Sequence, residues 1–260
     1  MKDARLERMG TAPVFPLMMK MALPAMFSMI VQALYNVVDS MFVSHYHKTA
    51  LTAVSLAFPM QLLMVSFGVG TAIGLNSLIS RRLGEQRHDE AGKAATYSII
   101  LGMATWIIFA LTGLFFSGNI IGAYTDNPMV LESGTQYLSC VFIFSFGMLI
   151  EVNIEKTIQA TGNMIFPMLF QLTGAIINIV LDPIFIFTFD MGALGAGIAT
   201  VIGQIISMIF ALIVLLQQNK AIKIDLHYLR HFDFKIVRDI YAVESRLLSC
   251  RVSVPLCFSV

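Results

Sequence analysis

Between Gly174 and Phe187 the sequence runs GAIINIVLDPIFIF. An aliphatic run of this kind reads as a membrane-spanning helix, yet it carries Asn178 and Asp182 in its interior. Four residues apart, the two side chains share one helical face. Pro183 follows at once; it has no N–H to give and clashes with the carbonyl of Ile179, so a kink is expected there. A carboxylate inside a membrane helix costs at least a few kcal/mol and is retained for function by default. Asp-Pro can also simply end a helix, but apolar FIF continues beyond the proline. Asp182 is therefore read as part of an ion or proton site.

The remainder of the chain fits the same solvent. Of its 260 residues 57% are hydrophobic and 13% charged, against about 25% charged in a soluble domain. The fold class expected is an all-α membrane protein. Spans need about 20 apolar residues each, and six are expected, over 16–44, 52–79, 95–117, 132–153, 165–188 and 193–216. Residues 1–15 form an N-terminal segment, 16–217 the six-helix unit, 218–243 a linker and 244–260 an atypical tail. Lys and Arg mark one side. They occur at Lys2, Arg5 and Arg8, at Arg81, Arg82, Arg87 and Lys93, at Lys156, and at Lys220, Lys223, Arg230, Lys235 and Arg238; the other side has Lys48. The positive-inside rule puts both ends of the unit in the cytoplasm. The apolar run after MKDARLERMG is too long for a signal peptide, so the N-terminus is expected to be retained.

Several function classes are excluded. No basic patch stands beside stacking aromatics, so no nucleic-acid partner is expected. Cys140, Cys250 and Cys257 have neither metal-ligand nor disulfide-framework spacing. His45 and His47 fall in an outer loop, and His227 and His231 lie four apart in DLHYLRHFDF, which reads as a solvated amphipathic segment. Neither a metalloenzyme pattern nor a nucleophile with its base is present. No enzyme and no cofactor are expected.

The first span offers the complement to Asp182. Pro24 marks a kink, and Ser28, Gln32, Asn36, Asp39 and Ser40 recur at short helical steps, drawing a polar stripe. Ser28 and Ser40 suit hydrogen bonding between helices. Tyr35 borders the stripe, as a ligand-facing ring or as ordinary packing. Gln32, Tyr35 and Asn36 are candidate cavity-lining residues. In the sixth span Ala199, Gly203 and Ser207 form a close-packing face beside Thr200. Glu151, Glu155 and Lys156 close the fourth span, where an interfacial or salt-bridged role is expected. At 1.5 Å rise per residue, Asp39 lies ~33 Å from Leu17, Asp182 ~26 Å from Ile165, and Thr200 ~10 Å from Ala193. All three then fall in the outer half of the bilayer, so Asp39, Asn178, Asp182 and Thr200 can surround one buried pocket. Two facing carboxylates repel, and such a pair can hold a proton or a monovalent cation.

LYNVVDSMFVSHY, IQATGNMIFPM, INIVLDPIFIF and LGAGIATVIGQ together resemble the multidrug and toxic compound extrusion (MATE) family, in its DinF/MepA-like bacterial branch. The likeness runs in order over about residues 12–243. It implies a fold of twelve helices in two six-helix lobes, of which this chain carries the N-lobe. It also implies an antiporter of the bacterial inner membrane, driven by Na⁺ or H⁺ and exporting small amphipathic, often cationic compounds. Asp39, Asn178, Asp182 and Thr200 would form the N-lobe cation site, and Pro24 a kink linked to protonation and substrate release.

After IYAV the chain departs from that pattern, with Glu244, Arg246 and Arg251 where a seventh span should begin. The expectation is a truncated half-transporter with an out-of-frame tail, lacking its C-lobe. Self-pairing of two such units is an alternative, as is lipid-linked saccharide flipping. The flippase reading wants a more cationic cavity than spans almost free of interior Lys and Arg provide. The 17 methionines suit a plastic drug cavity, although lipid-facing or packing roles account for most of them.

Overall fold

The computed structural model describes residues 13–46 and 48–218. The linker, the tail, the N-terminal basic residues, His47, His227, His231, Cys250 and Cys257 lie outside the described residues. Within them the chain is helical, with no strand. The helices are α1 (Val14–Tyr46), α2 (Lys48–Gly84), α3 (His88–Phe115), the short α4 (Ser117–Gly122), α5 (Pro128–Ile143), α6 (Phe146–Ala160), α7 (Ile165–Pro183) and α8 (Gly192–Gln218). Five helices are long and apolar enough to cross a membrane, and α5 with α6 makes a sixth span bent by 44°.

The fourth span expected over 132–153 is this bent pair. The helical pair reaches from Pro128 to Ala160 and breaks at Phe144 and Ser145. Asn127 starts it, its side chain accepting the Met129 N–H at 3.1 Å with Pro128 at the first helical position. At the break the chain must satisfy carbonyls that a continuous helix would bond. The Trp106 indole N–H donates to the Ile143 carbonyl at 2.8 Å, and the Ser145 hydroxyl to Phe142 at 2.8 Å.

The expected kinks differ in form. α1 stays helical through Pro24, and Ser28 bonds the Pro24 carbonyl at 3.0 Å. After Pro183 the helix neither ends nor folds back, but widens into a π-helical turn over Ile184–Thr188. The missing proline N–H is absorbed by a change of register. That turn packs tightly on α8, where a Cβ on Gly195 would sit 2.8 Å from the Phe185 carbonyl oxygen.

α7 and α8 form the seam on which the unit is built. A Cβ on Gly203 would lie 2.9 Å from the Gly174 carbonyl, so only glycine permits this approach. Ala199 and Ser207, above and below on the same face, are fully buried or nearly so. At the arginine-rich end, the turn between α2 and α3 is tied by Arg81 and Arg82 to Glu85 at 3.0 and 2.9 Å, and by Arg82 to Glu90 at 3.1 Å. α1 is the least enclosed span, packed chiefly on α7.

Candidate functional site

Asp182 and Asn178 project from α7 into the seam with α8, both with at most 2% of their surface exposed. Their four-residue spacing puts them in contact. The Asn178 amide is best satisfied with its nitrogen toward Asp182, donating to Oδ2 at 2.9 Å, and its oxygen toward α8, accepting the Thr200 N–H at 3.1 Å. The Thr200 hydroxyl donates to the Ala196 carbonyl at 2.9 Å.

α1 closes the site from the other side. The carboxyl groups of Asp39 and Asp182 face each other within hydrogen-bonding reach, although neither can donate while ionised. Asp39 Oδ1 is buried and has no hydrogen-bond partner. Among the described residues no Lys or Arg pairs with either acid. The pair therefore combines two acceptors, an unbonded oxygen and no counter-charge. The four residues read from the sequence as one pocket are thus brought together. Tyr35 joins them, its hydroxyl within reach of Thr200. Gln32 and Asn36 do not; both are exposed along α1.

Two members of the neighbourhood escaped the sequence. Tyr137 of α5 is 4% exposed, donates to Gln61 of α2 at 3.3 Å, and lies close enough to feel the charges of Asp39 and Asp182. A single Tyr or Gln in an apolar helix has no periodic partner to flag it, and the signal that reveals these two is spatial.

Glu151 and Glu155 were expected in an interfacial or salt-bridged role, and both are buried inside the bundle. Glu155 accepts Lys156 Nζ at 3.0 Å and Gln159 at 2.6 Å on one oxygen, with Gln171 of α7 at 3.4 Å on the other. The salt bridge expected there exists, but in an enclosed network. Glu151 meets Ser207 of α8 instead.

The MatE family model matches residues 24–184. Among curated proteins, the multidrug export protein MepA of Staphylococcus aureus is 26% identical over 227 residues, which are 87% of this chain and 50% of MepA. Among solved structures, a MOP superfamily transporter from Pyrococcus furiosus superposes with a TM-score of 0.83 at 27% identity, covering 88% of this chain and 50% of the other. The outward-facing conformation of a multidrug resistance MATE family transporter gives 0.82 at 27% identity, covering 86% and 50%. The chain thus spans about half the length of the curated relatives it matches. A family match over more than half of its residues, joined to a six-span bundle that superposes on half of a MATE transporter, leads to one conclusion: this multi-pass membrane chain belongs to the MatE family.

Proposed function

We propose that the chain forms the N-lobe of a cation-coupled exporter of small amphipathic, often cationic compounds. The observation that carries this reading is the Asp39–Asp182 contact with its unbonded oxygen and absent counter-charge. Two carboxylates in contact repel, and one bound proton or one Na⁺ cancels the excess. The oxygen donors suit either. Asp39 and Asp182 supply the charge and the Thr200 hydroxyl a neutral oxygen, the ligand type a hard monovalent cation accepts; the Asn178 oxygen joins that set when its amide turns from the orientation above.

Asn178 also orients the site by donating to Asp182 Oδ2. Tyr35 and Tyr137 border the acids with hydroxyls rather than charges. Gln32 and Asn36, exposed on α1, would face the drug cavity that a C-lobe completes. In this reading alternating access uses two lobes around that cavity, in a bacterial inner membrane with the arginine-rich end cytoplasmic.

The test is a ligand titration on the chain in lipid nanodiscs. Na⁺ at fixed pH, or protons without Na⁺, is expected to raise the unfolding temperature, and Asp39→Asn and Asp182→Asn to abolish that response. A wild-type chain indifferent to both cations would remove the reading. In a twelve-helix context Asp182→Asn is expected to insert normally yet lose export of ethidium-like dyes, and normal export would count against the ion site.

A further inference from the structure

Seven residues separate Thr200 from Ser207 on α8, two helical turns that bring both to one face about 10 Å apart. Thr200 serves the Asp39–Asp182 site. Ser207 serves a second acid that the export reading leaves unused.

Ser207 Oγ has two oxygen neighbours, Glu151 Oε1 of α6 at 2.5 Å and the Phe170 carbonyl of α7 at 2.8 Å. A serine hydroxyl brings one proton, and a carbonyl brings none. Two hydrogen bonds among these three oxygens therefore need a second proton. Glu151 is the one group able to supply it. With the acid neutral, Glu151 donates to Ser207 and Ser207 donates to Phe170, so each oxygen is satisfied. With the acid ionised, one hydrogen serves two acceptors and the carboxylate keeps at most that one donor inside the bundle, which is costly in hydrocarbon.

The surroundings agree. Glu151 is 9% exposed and Ser207 1%. Among the described residues, the charged groups nearest Glu151 are Glu155 and its partner Lys156, both on its own helix. Lys156 already pairs with Glu155 at 3.0 Å. From the elements packed against this face, α7 presents the Phe170 carbonyl and Gln171, and Gln171 is engaged with Glu155. α8 presents Ser207. α2 contributes Asn76, which bonds the Lys156 carbonyl at 2.9 Å. Glu151 thus lacks a cation of its own, while Glu155, one turn on, is fully supplied with donors.

We propose that Glu151 is a second proton-binding site of this lobe, holding its proton as a donor to Ser207 and thereby tying α6 to α7 and α8. The site is separate from the Asp39–Asp182 pair and takes a proton rather than a metal cation, having a single carboxyl and a hydroxyl already committed to a carbonyl. Loss of the proton would replace the Glu151–Ser207 bond by competition between two acceptors and loosen that junction.

Infrared spectroscopy of the full chain in nanodiscs tests this directly. The background is the Asp39→Asn/Asp182→Asn double variant, so the first site contributes no carboxyl signal. At neutral pH a protonated-carboxyl C=O stretch is expected, shifting on exchange into D₂O. Glu151→Gln should remove it. Ser207→Ala should keep the band but move it to higher frequency, because the acid loses its acceptor. This second variant settles the matter should Glu151→Gln misfold. Absence of the band in the double variant would mean an ionised Glu151 shares the Ser207 proton with Phe170, and would overturn the proposal. So would a band indifferent to both substitutions. Either result leaves the Na⁺ and proton titrations at Asp39 and Asp182 unaffected.

Discussion

Among the described residues two pairs of acids lie within the bundle, Asp39 half-buried and the other three buried, and the pairs have opposite surroundings. Asp39 and Asp182 come from different helices, meet carboxyl to carboxyl, and keep one oxygen without a partner. Glu151 and Glu155 come from one helix, four residues apart, and each has found partners: Ser207 for the first, and Lys156, Gln159 and Gln171 for the second. Burial does not separate Asp182 from Glu155, at 0% and 5% exposed. Completeness does. An acid whose partners lie within the fold, as donors for Glu155 and as the acceptor Ser207 for Glu151, is part of the architecture. An acid left short of donors and counter-charge requires something from outside.

That contrast can be broken at its common support. Gly203 lies on the α8 face between Thr200 and Ser207, against the Gly174 carbonyl. Gly203→Val should force α7 and α8 apart and lower stability by about 3 kcal/mol, since backbone cannot yield as a flexible side chain does. The unfolding temperature and cation response should fall together; a stable, cation-responsive variant would refute the tight seam.

The next two substitutions should differ in sign. Glu155→Gln strands Lys156 in a partly enclosed network and should cost about 2 kcal/mol, less than a fully buried pair because Lys156 retains some solvent access. Asp182→Asn removes a repulsion instead, so cation-free stability at neutral pH should hold or rise. Equal losses in SDS-unfolding titrations would erase the distinction between the pairs. Thr200→Val sharpens it further. It keeps the N–H that Asn178 accepts and removes the hydroxyl, so about 1 kcal/mol of stability should go while cation binding suffers more. Unchanged cation affinity would take Thr200 out of the site.

The smallest effect belongs to the exposed turn. Hydrogen bonds from Arg81 and Arg82 hold the Glu85 carboxyl below the usual carboxylate range. Its stabilisation is therefore present at neutral pH and is lost as pH falls through that lowered value. Glu85→Gln should differ slightly from wild type at pH 7 and not at all in strong acid. A difference that grows in acid would reverse the assignment.

Asn178 and Asp182 were legible because their contact is local: i and i+4 on one helix already fixes it. Asp39 and Thr200 were legible because polar side chains are rare in apolar spans and their depths agree. The break within the fourth span was not legible because Phe144 and Ser145 carry no Gly or Pro to announce it, and it is held by Trp106 from another helix. The enclosure of Glu151 and Glu155 was not legible because an acidic patch with a lysine near a span end looks like a membrane surface. What encloses it is Ser207 and Gln171, far away in sequence. Pro24 and Pro183 announced irregularity without its form: one lies within continuous helix, and the other precedes a widened turn.

α1 contributes Asp39, yet only 6% of its most apolar window is enclosed by the rest of the bundle, against 44% for α8. The helix that supplies half of the acid pair is the one held most lightly. On the proposed cation-site reading, its seating and the filling of the pair are two readings of a single equilibrium. Whatever bridges Asp39 and Asp182 fastens α1 onto α7, and by reciprocity whatever tugs α1 outward weakens the bridge by the same free energy. A molecule resting on Gln32 and Asn36, one to two turns along the same helix, would work as a lever on both aspartates without touching either.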